Sequence, residues 1–377
     1  MKPLTVLEIF QPLILVLQIL GINFAKVDKG KLIYSKLRLT QTFVYFMICA
    51  IYTFRYWQSY TIKSVGTVTK ALTLALICRC FGAILVMVVV LVLAYSGNTL
   101  RLHHATQQIS QLDSELSDTG MTEHIYKSNR QHRNIAIRLI FLVNIFSNII
   151  VDILTALFNS HDLIEFFAVL VYPKLVVSIM NCTFMLYTIL LQERYRMINE
   201  IIEKLFILQP TSSQKLTRVV HLHKTLTEIS QEINSINGFQ FLLWITFYFF
   251  LILGDLHALT FTLCFTYRQE LFLIVFIVAK NVSTYVFELI YLATRCRRLC
   301  VEASRTKTLL LGIQIGIQQE QDRNSIVALT LMLMNNQLEV TACRLFRIDY
   351  ALLFSIFASI FSYLFIMIQL DIAAQPK

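Results

Sequence analysis

Charge is scarce in this 377-residue chain: Asp, Glu, Lys and Arg make up 15% of it, 56% is hydrophobic, and the mean hydropathy is +0.63. Soluble domains carry about 25% charged residues, so that class is excluded and a polytopic membrane protein is implied. A Gly-rich phosphate loop, a nucleophile elbow and a zinc-hydrolase helix are also missing, so neither an enzyme nor a cofactor is expected. No cleavable leader is expected either, because Lys2 is the only early cation and Glu8 and Pro12 interrupt the first apolar run. The eight cysteines form no paired short loop and imply no disulfide framework. Cys296 and Cys300, beside Arg297 and Arg298, are read as bystander thiols, with juxtamembrane palmitoylation as the alternative. His221-x-His223 and His103-His104 lack further ligands at zinc spacing, so no metal is expected. The sequons at Asn181 and Asn281 lie in apolar runs and are not expected to be glycosylated.

What the chain has instead is long apolar segments. Seven spans are read at about 39–58, 72–96, 136–158, 163–191, 239–266, 270–294 and 350–371, each long enough to cross a hydrocarbon core of about 30 Å. Residues 4–20, broken by Glu8, Gln11, Pro12 and Gln18, are read as a membrane-associated or re-entrant helix. With the N-terminus in the cytosol, 25 Lys and Arg fall on cytosolic segments and five outside. The bias places the N-terminus inside and the C-terminus outside, opposite to a G-protein-coupled receptor. The formal charge of +10 is then a topology signal, helped by contact with anionic membrane lipid. Because those cations are divided among four segments, nucleic acid is not an expected partner.

The last span has one mildly polar face. Ser355, Ser359, Ser362, Ile366 and Gln369 recur at steps of three and four, so they share a stripe that meets either a neighbouring helix or water. Gln369 favours protein or an aqueous path, since an amide in hydrocarbon needs partners. Further polar groups fall inside the spans: Arg79, Asn148, Asp152, Lys174, Asp255, His257 and Lys280, with Tyr172, Tyr248 and Tyr285 nearby. Two readings stay open for them. They are internal salt bridges that fix helix order, such as Asp152 or Asp255 with Lys174, Lys280 or Arg79, or they line an outward-open ligand pocket among spans two to six. Glu288, deeper in the sixth span, is expected to pair with a cation.

Outside the bilayer, Leu222, Leu226, Ile229, Ile233 and Ile236 step by four and three, a coiled-coil-like seam. Ile109, Leu112 and Leu116, and Ile198, Ile201, Ile202 and Leu205, make similar stripes. Residues 325–345 look like another such helix leading into the last span. These stripes either pack within one subunit or join subunits, and together they suggest a cytosolic helical stalk.

Ser362-Tyr363, five apolar residues and then Gln369-Leu370 resemble the Thr-Tyr-(five apolar)-Gln-Phe ending of insect gustatory receptors. The departures are Ser362 for Thr and Leu370 for Phe. The likeness continues at Cys300-x3-Ser304, at Leu345-Phe346-Arg347-Ile348-Asp349, and at His223-x2-Leu226 followed by Ile236-Asn237-Gly238-Phe239. It implies an all-α, seven-transmembrane chain with an intracellular N-terminus, an extracellular C-terminus and a cytosolic helical anchor. The corresponding divisions are 1–38, an N-terminal segment; 39–294, spans one to six with cytosolic extensions; 295–349, an anchor including the first part of the seventh helix; and 350–377, the pore-lining helix. The resemblance further implies a tastant-gated, non-selective cation channel at the plasma membrane of gustatory neurons. Its partners would be a small-molecule tastant, with bitter or aversive compounds favoured, and other receptor subunits in a homo- or hetero-tetramer. Ile366 would then be the constriction, Gln369 a polar ring, Asp371 a cation-concentrating outer ring, and Tyr363 a brace against the fifth or sixth span. The alternatives are a G-protein-coupled-type chemoreceptor and a secondary transporter.

Overall fold

The computed structural model describes residues 6–19, 25–28, 31–34, 36–64, 82, 84–85, 88, 98–139, 171–208, 213–265, 271–316, 327, 330–331 and 333–373. In chain order these form α1 (Val6–Ile19), a hairpin of β1 (Ala25–Asp28) and β2 (Lys31–Tyr34), α2 (Lys36–Ser64) and α3 (Asn98–Leu116). A π-helical turn (Ser117–Met121) leads to α4 (Thr122–Leu139), followed by α5 (Tyr172–Leu208), α6 (Ser213–Phe265) and α7 (Leu271–Gly316). A second hairpin of β3 (Thr341–Ala342) and β4 (Phe346–Arg347) precedes α8 (Tyr350–Ala373). The fold is all-α, and the expected second and third spans lie largely outside the described residues.

Helix length divides the molecule into two levels. At 1.5 Å per residue, the 37, 53 and 46 residues of α5, α6 and α7 reach about 55, 80 and 70 Å. A hydrocarbon core takes about 30 Å, so all three overrun it. The 24 residues of α8 reach about 36 Å, one bilayer crossing. Four described helices are long and apolar enough to cross a membrane: Tyr172–Lys204, Thr217–Thr260, Val275–Gly312 and Tyr350–Leu370.

The overruns form the anchor. Leu222, Leu226, Ile229, Ile233 and Ile236 of α6 are all buried, as are Ile109, Leu112 and Leu116 of α3 and Ile198, Ile201 and Ile202 of α5. The seam therefore closes within one subunit. α1 has one buried face: Val6, Ile9, Phe10 and Leu13 are buried, Leu15 and Ile19 exposed, and Phe10 stacks on Tyr187 of α5 at 4.1 Å. Its 14 described residues cover about 21 Å.

The helix expected through 345 ends at 335, and residues 337–340 belong to neither helix nor strand. Asn234 of α6 holds the following hairpin, accepting the Thr341 N–H at 3.1 Å and donating to Thr341 Oγ1 at 3.4 Å. The turn puts Cys343 and Arg344 at φ of 52° and 61°, a left-handed pair incompatible with a continuing helix. A Cβ added at Gly238 would stand 3.1 Å from the Cys343 nitrogen, so glycine lets the hairpin lie against α6. Asp349 then starts α8 by accepting the Leu352 N–H at 3.0 Å, an N-cap.

Candidate ligand pocket and pore helix

α5, α6 and α7 enclose a ladder of polar and aromatic groups. Lys174 Nζ donates to Asn281 Oδ1 at 3.3 Å and sits 5.7 Å over the Tyr285 ring. Tyr285 stacks on Tyr248 at 5.3 Å, and the Tyr248 hydroxyl donates to Glu288 Oε2 at 2.5 Å. Ser178 donates to Glu288 Oε1 at 2.8 Å, and Asn181 reaches Tyr248 at 3.2 Å and Glu288 at 3.4 Å. Helical spacing explains the ladder: Lys174, Ser178 and Asn181 share one face of α5, as Asn281, Tyr285 and Glu288 share one face of α7. Tyr172, at the start of α5, faces Tyr45 of α2 at 6.1 Å.

The expected cation partner of Glu288 is replaced by two hydroxyls and an amide. Three donors can satisfy a buried carboxyl group, whereas burying a second charge would add its own desolvation penalty. Sequence reading missed Ser178 and passed over Asn181 as an unused sequon; their four- and three-residue steps from Lys174 were the available signal. Asp255 and His257, about two turns beyond Tyr248 on α6, are buried. Lys280 is half-buried and its carbonyl accepts the Ser283 and Thr284 hydroxyls. Arg79, Asn148 and Asp152 lie outside the described residues.

On α8, Leu353, Ile356 and Ile360 are buried, with Leu364 and Met367 packed beside them. Ser355, Ile366, Gln369 and Leu370 are exposed. Ser355, Ser359 and Ser362 each donate to the carbonyl four residues back, at 3.0, 2.8 and 2.9 Å. This satisfies the hydroxyls without a partner helix. Asp371 continues the helix. Tyr363 meets Phe249 of α6 edge to face at 6.0 Å, and Phe249 is the neighbour of Tyr248. Pocket and last helix therefore meet on consecutive residues of α6. Across from them Gly82 abuts the Phe247 ring so closely that any Cβ there would collide with it.

Residues 10–374 match the model of the 7tm Chemosensory receptor family. The chain belongs to that family. Among curated relatives of this chemosensory receptor is the Drosophila melanogaster gustatory receptor for bitter taste 66a, 27% identical over 169 residues. That match spans 43% of this chain and 31% of the relative's length. Among solved structures, the olfactory receptor OR5 of Machilis hrabei in complex with eugenol superposes with a TM-score of 0.66 at 13% identity, covering 96% of this chain and 97% of that one. A second OR5 structure gives 0.62 at 14% identity over the same shares. At such identity the likeness concerns the fold.

The anchor of this chemosensory receptor has its own polar centre. Arg194 of α5 is fully buried, and its Nε and Nη2 donate to the two carboxylate oxygens of Asp113 on α3, at 2.9 and 2.8 Å. It also donates to Asn129 at 2.5 Å and Ser128 at 3.3 Å, both on α4. Ser128 lies 3.3 Å from His132, whose burial, helped by Arg194 and Arg295, lowers its pKa to about 3. In the cytosolic part of α6, His223 donates to the Ala303 carbonyl at 3.1 Å, and burial lowers its pKa to about 4. Cys296 is buried, so acylation there is closed to the folded chain; Cys300 is half-buried and Cys343 exposed.

Proposed function

We propose that the chain is a taste-receptor subunit of a tetrameric, ligand-gated cation channel in the plasma membrane of gustatory neurons, opened by a small organic tastant. The observation that carries this reading is the placement of Tyr248 in the polar ladder and Phe249 against Tyr363 of α8. A ligand that rearranges Lys174, Tyr285 and Tyr248 turns or tilts α6, and Phe249 passes the movement to the last helix. Such a ligand shifts closed toward open only by binding the open arrangement more tightly. The stripe of exposed Ser355, Ser362, Ile366 and Gln369, with half-buried Ser359 among them, then faces a central path, with Ile366 the dewetting constriction, Gln369 the polar ring beside it and Asp371 the outer ring.

Aromatic rings, a lysine and a buried carboxyl group suit compact organic molecules with an aromatic or basic part. The relative's bitter-taste name and the eugenol bound by OR5 support small organic tastants of the aversive kind. The test is whole-cell recording from cells expressing the chain: Ile366→Ala is expected to raise the resting cation leak. An unchanged leak and unchanged tastant sensitivity would remove Ile366 from the gate.

A further inference from the structure

A cleft lies between α7 and the chain that leads into α8, and exposed faces of both helices continue beyond it. The cleft holds 540 Å³, and its walls include Arg297, Ser304, Lys307, Asn336 and Arg347. Above Tyr350 the exposed faces are apolar: Phe287 and Ile290 continue the Arg297 face of α7, and Phe354 and Phe361 continue the Tyr350 face of α8. Phe354 is 77% exposed, Phe361 65% and Phe287 57%. Tyr350 ties the two helices where they meet, its hydroxyl 3.0 Å from that of Thr294. The change falls at the inner membrane boundary, where the last span begins and the Arg295–Arg298 basic cluster follows the sixth.

Charge in the cleft is unevenly committed. Of its two acids, Glu339 is paired with Arg347 and Asp349 caps the Leu352 N–H. Arg297 sits over the Tyr350 ring, its guanidinium carbon 5.0 Å from the centroid, a contact that uses none of its N–H donors. Lys307, ten residues and about 15 Å further along α7, completes a basic pair at the two ends of the cleft. Phosphate oxygens accept from such groups as paired charge-assisted bonds. We propose that this cleft binds an anionic, phosphate-bearing phospholipid of the inner leaflet, with its headgroup between Arg297 and Lys307 and its acyl chains along Phe287, Ile290 and Phe354. Only an amphiphile satisfies both halves. By resting against Tyr350 and Phe354, the lipid would steady the start of α8.

The test is native mass spectrometry of the full-length receptor in detergent, offered phosphatidylinositol 4-phosphate or phosphatidylcholine. The wild type should retain the anionic lipid and not the neutral one. The double variant Arg297→Gln/Lys307→Gln should lower the retained fraction by about tenfold or more, the loss expected for charged hydrogen bonds. Arg305→Gln, an equal charge change per site at a residue ion-paired with Glu203 outside the cleft, should leave retention intact and controls for folding. Equal retention by wild type and double variant overturns the proposal, as does an equal loss from Arg305→Gln. Displacement by soluble inositol 1,4-bisphosphate at matched concentration would reassign the cleft to a free phosphate. Disulfide formation between copies carrying Val301→Cys and Phe354→Cys would instead assign these faces to a second subunit.

Discussion

In the anchor, the Arg194 guanidinium is enclosed on every side and has a carboxylate, an amide and a hydroxyl as partners. At membrane level, α8 meets the rest of the chain along one stripe and leaves Phe354, Phe361, Ile366 and Leu370 uncovered. Even among the apolar stretches the two helices differ: 83% of that of α5 is buried but only 17% of that of α8. A helix held on one side can move without dismantling a core, while a buried ion pair with every bond made resists movement. The contrast separates an enclosed end from an uncovered one, and the proposed function assigns them different parts: the anchor is to fix the helices that carry the ladder, and α8 is to answer to small displacements of α6.

The largest expected effect lies at the enclosed end. Asp113→Ala strands a fully buried guanidinium, and removing one partner of a buried pair typically costs about 3–5 kcal/mol. The receptor should lose most of its monodisperse peak in fluorescence-detected size exclusion. Survival of that peak with an unchanged melting midpoint would show that the anchor does not fix the helices.

An acid titration sharpens the same contrast. His132 and His223 are held neutral, with folded pKa values of about 3 and 4 against an ordinary value near 6.5. Between those values the unfolded chain binds protons that the folded chain does not, so stability falls as pH drops from about 6.5 toward 4. For His223 the loss at pH 5 is about 2 kcal/mol relative to pH 7. His223→Gln should flatten the fall in melting midpoint over that window, and an unaltered slope would exclude His223 as its source.

Two smaller effects belong to the other end. Tyr248→Phe removes one of three donors from Glu288, about 1–3 kcal/mol. It should shift the tastant dose–response while leaving size-exclusion behaviour intact. Tyr363→Ala removes an edge-to-face contact worth about 0.5–1.5 kcal/mol beyond its area, so it should change the open fraction at saturating tastant with little change in melting. If both variants unfold the protein instead, the ladder is structural in the same sense as the anchor.

Much of the fold was legible because its signals are periodic. The α6 seam from Leu222 to Ile236, the apolar spans and the serine stripe on α8 repeat at helical spacing, and the structure places the seam inside. The second hairpin was not legible, because Asn234, Gly238 and Cys343 come together only after α6 and the chain beyond 335 have folded against each other. Glu288 was read against a cation because sequence reveals charge but not the hydroxyls of Ser178 and Tyr248 on other helices. Arg194 passed as one more cytosolic cation for a similar reason: its partner Asp113 is 81 residues away. Local pattern finds faces, and only tertiary structure pairs them.

The most direct test of the central claim, that the exposed stripe of α8 lines an ion path, is cysteine scanning from Leu353 to Gln369 in a receptor recorded with tastant present. A membrane-impermeant thiol reagent should block current at Ser355→Cys, Ser359→Cys, Ser362→Cys, Ile366→Cys and Gln369→Cys, and spare Leu353→Cys, Ile356→Cys and Ile360→Cys. Block on the second set, or on neither, would contradict it.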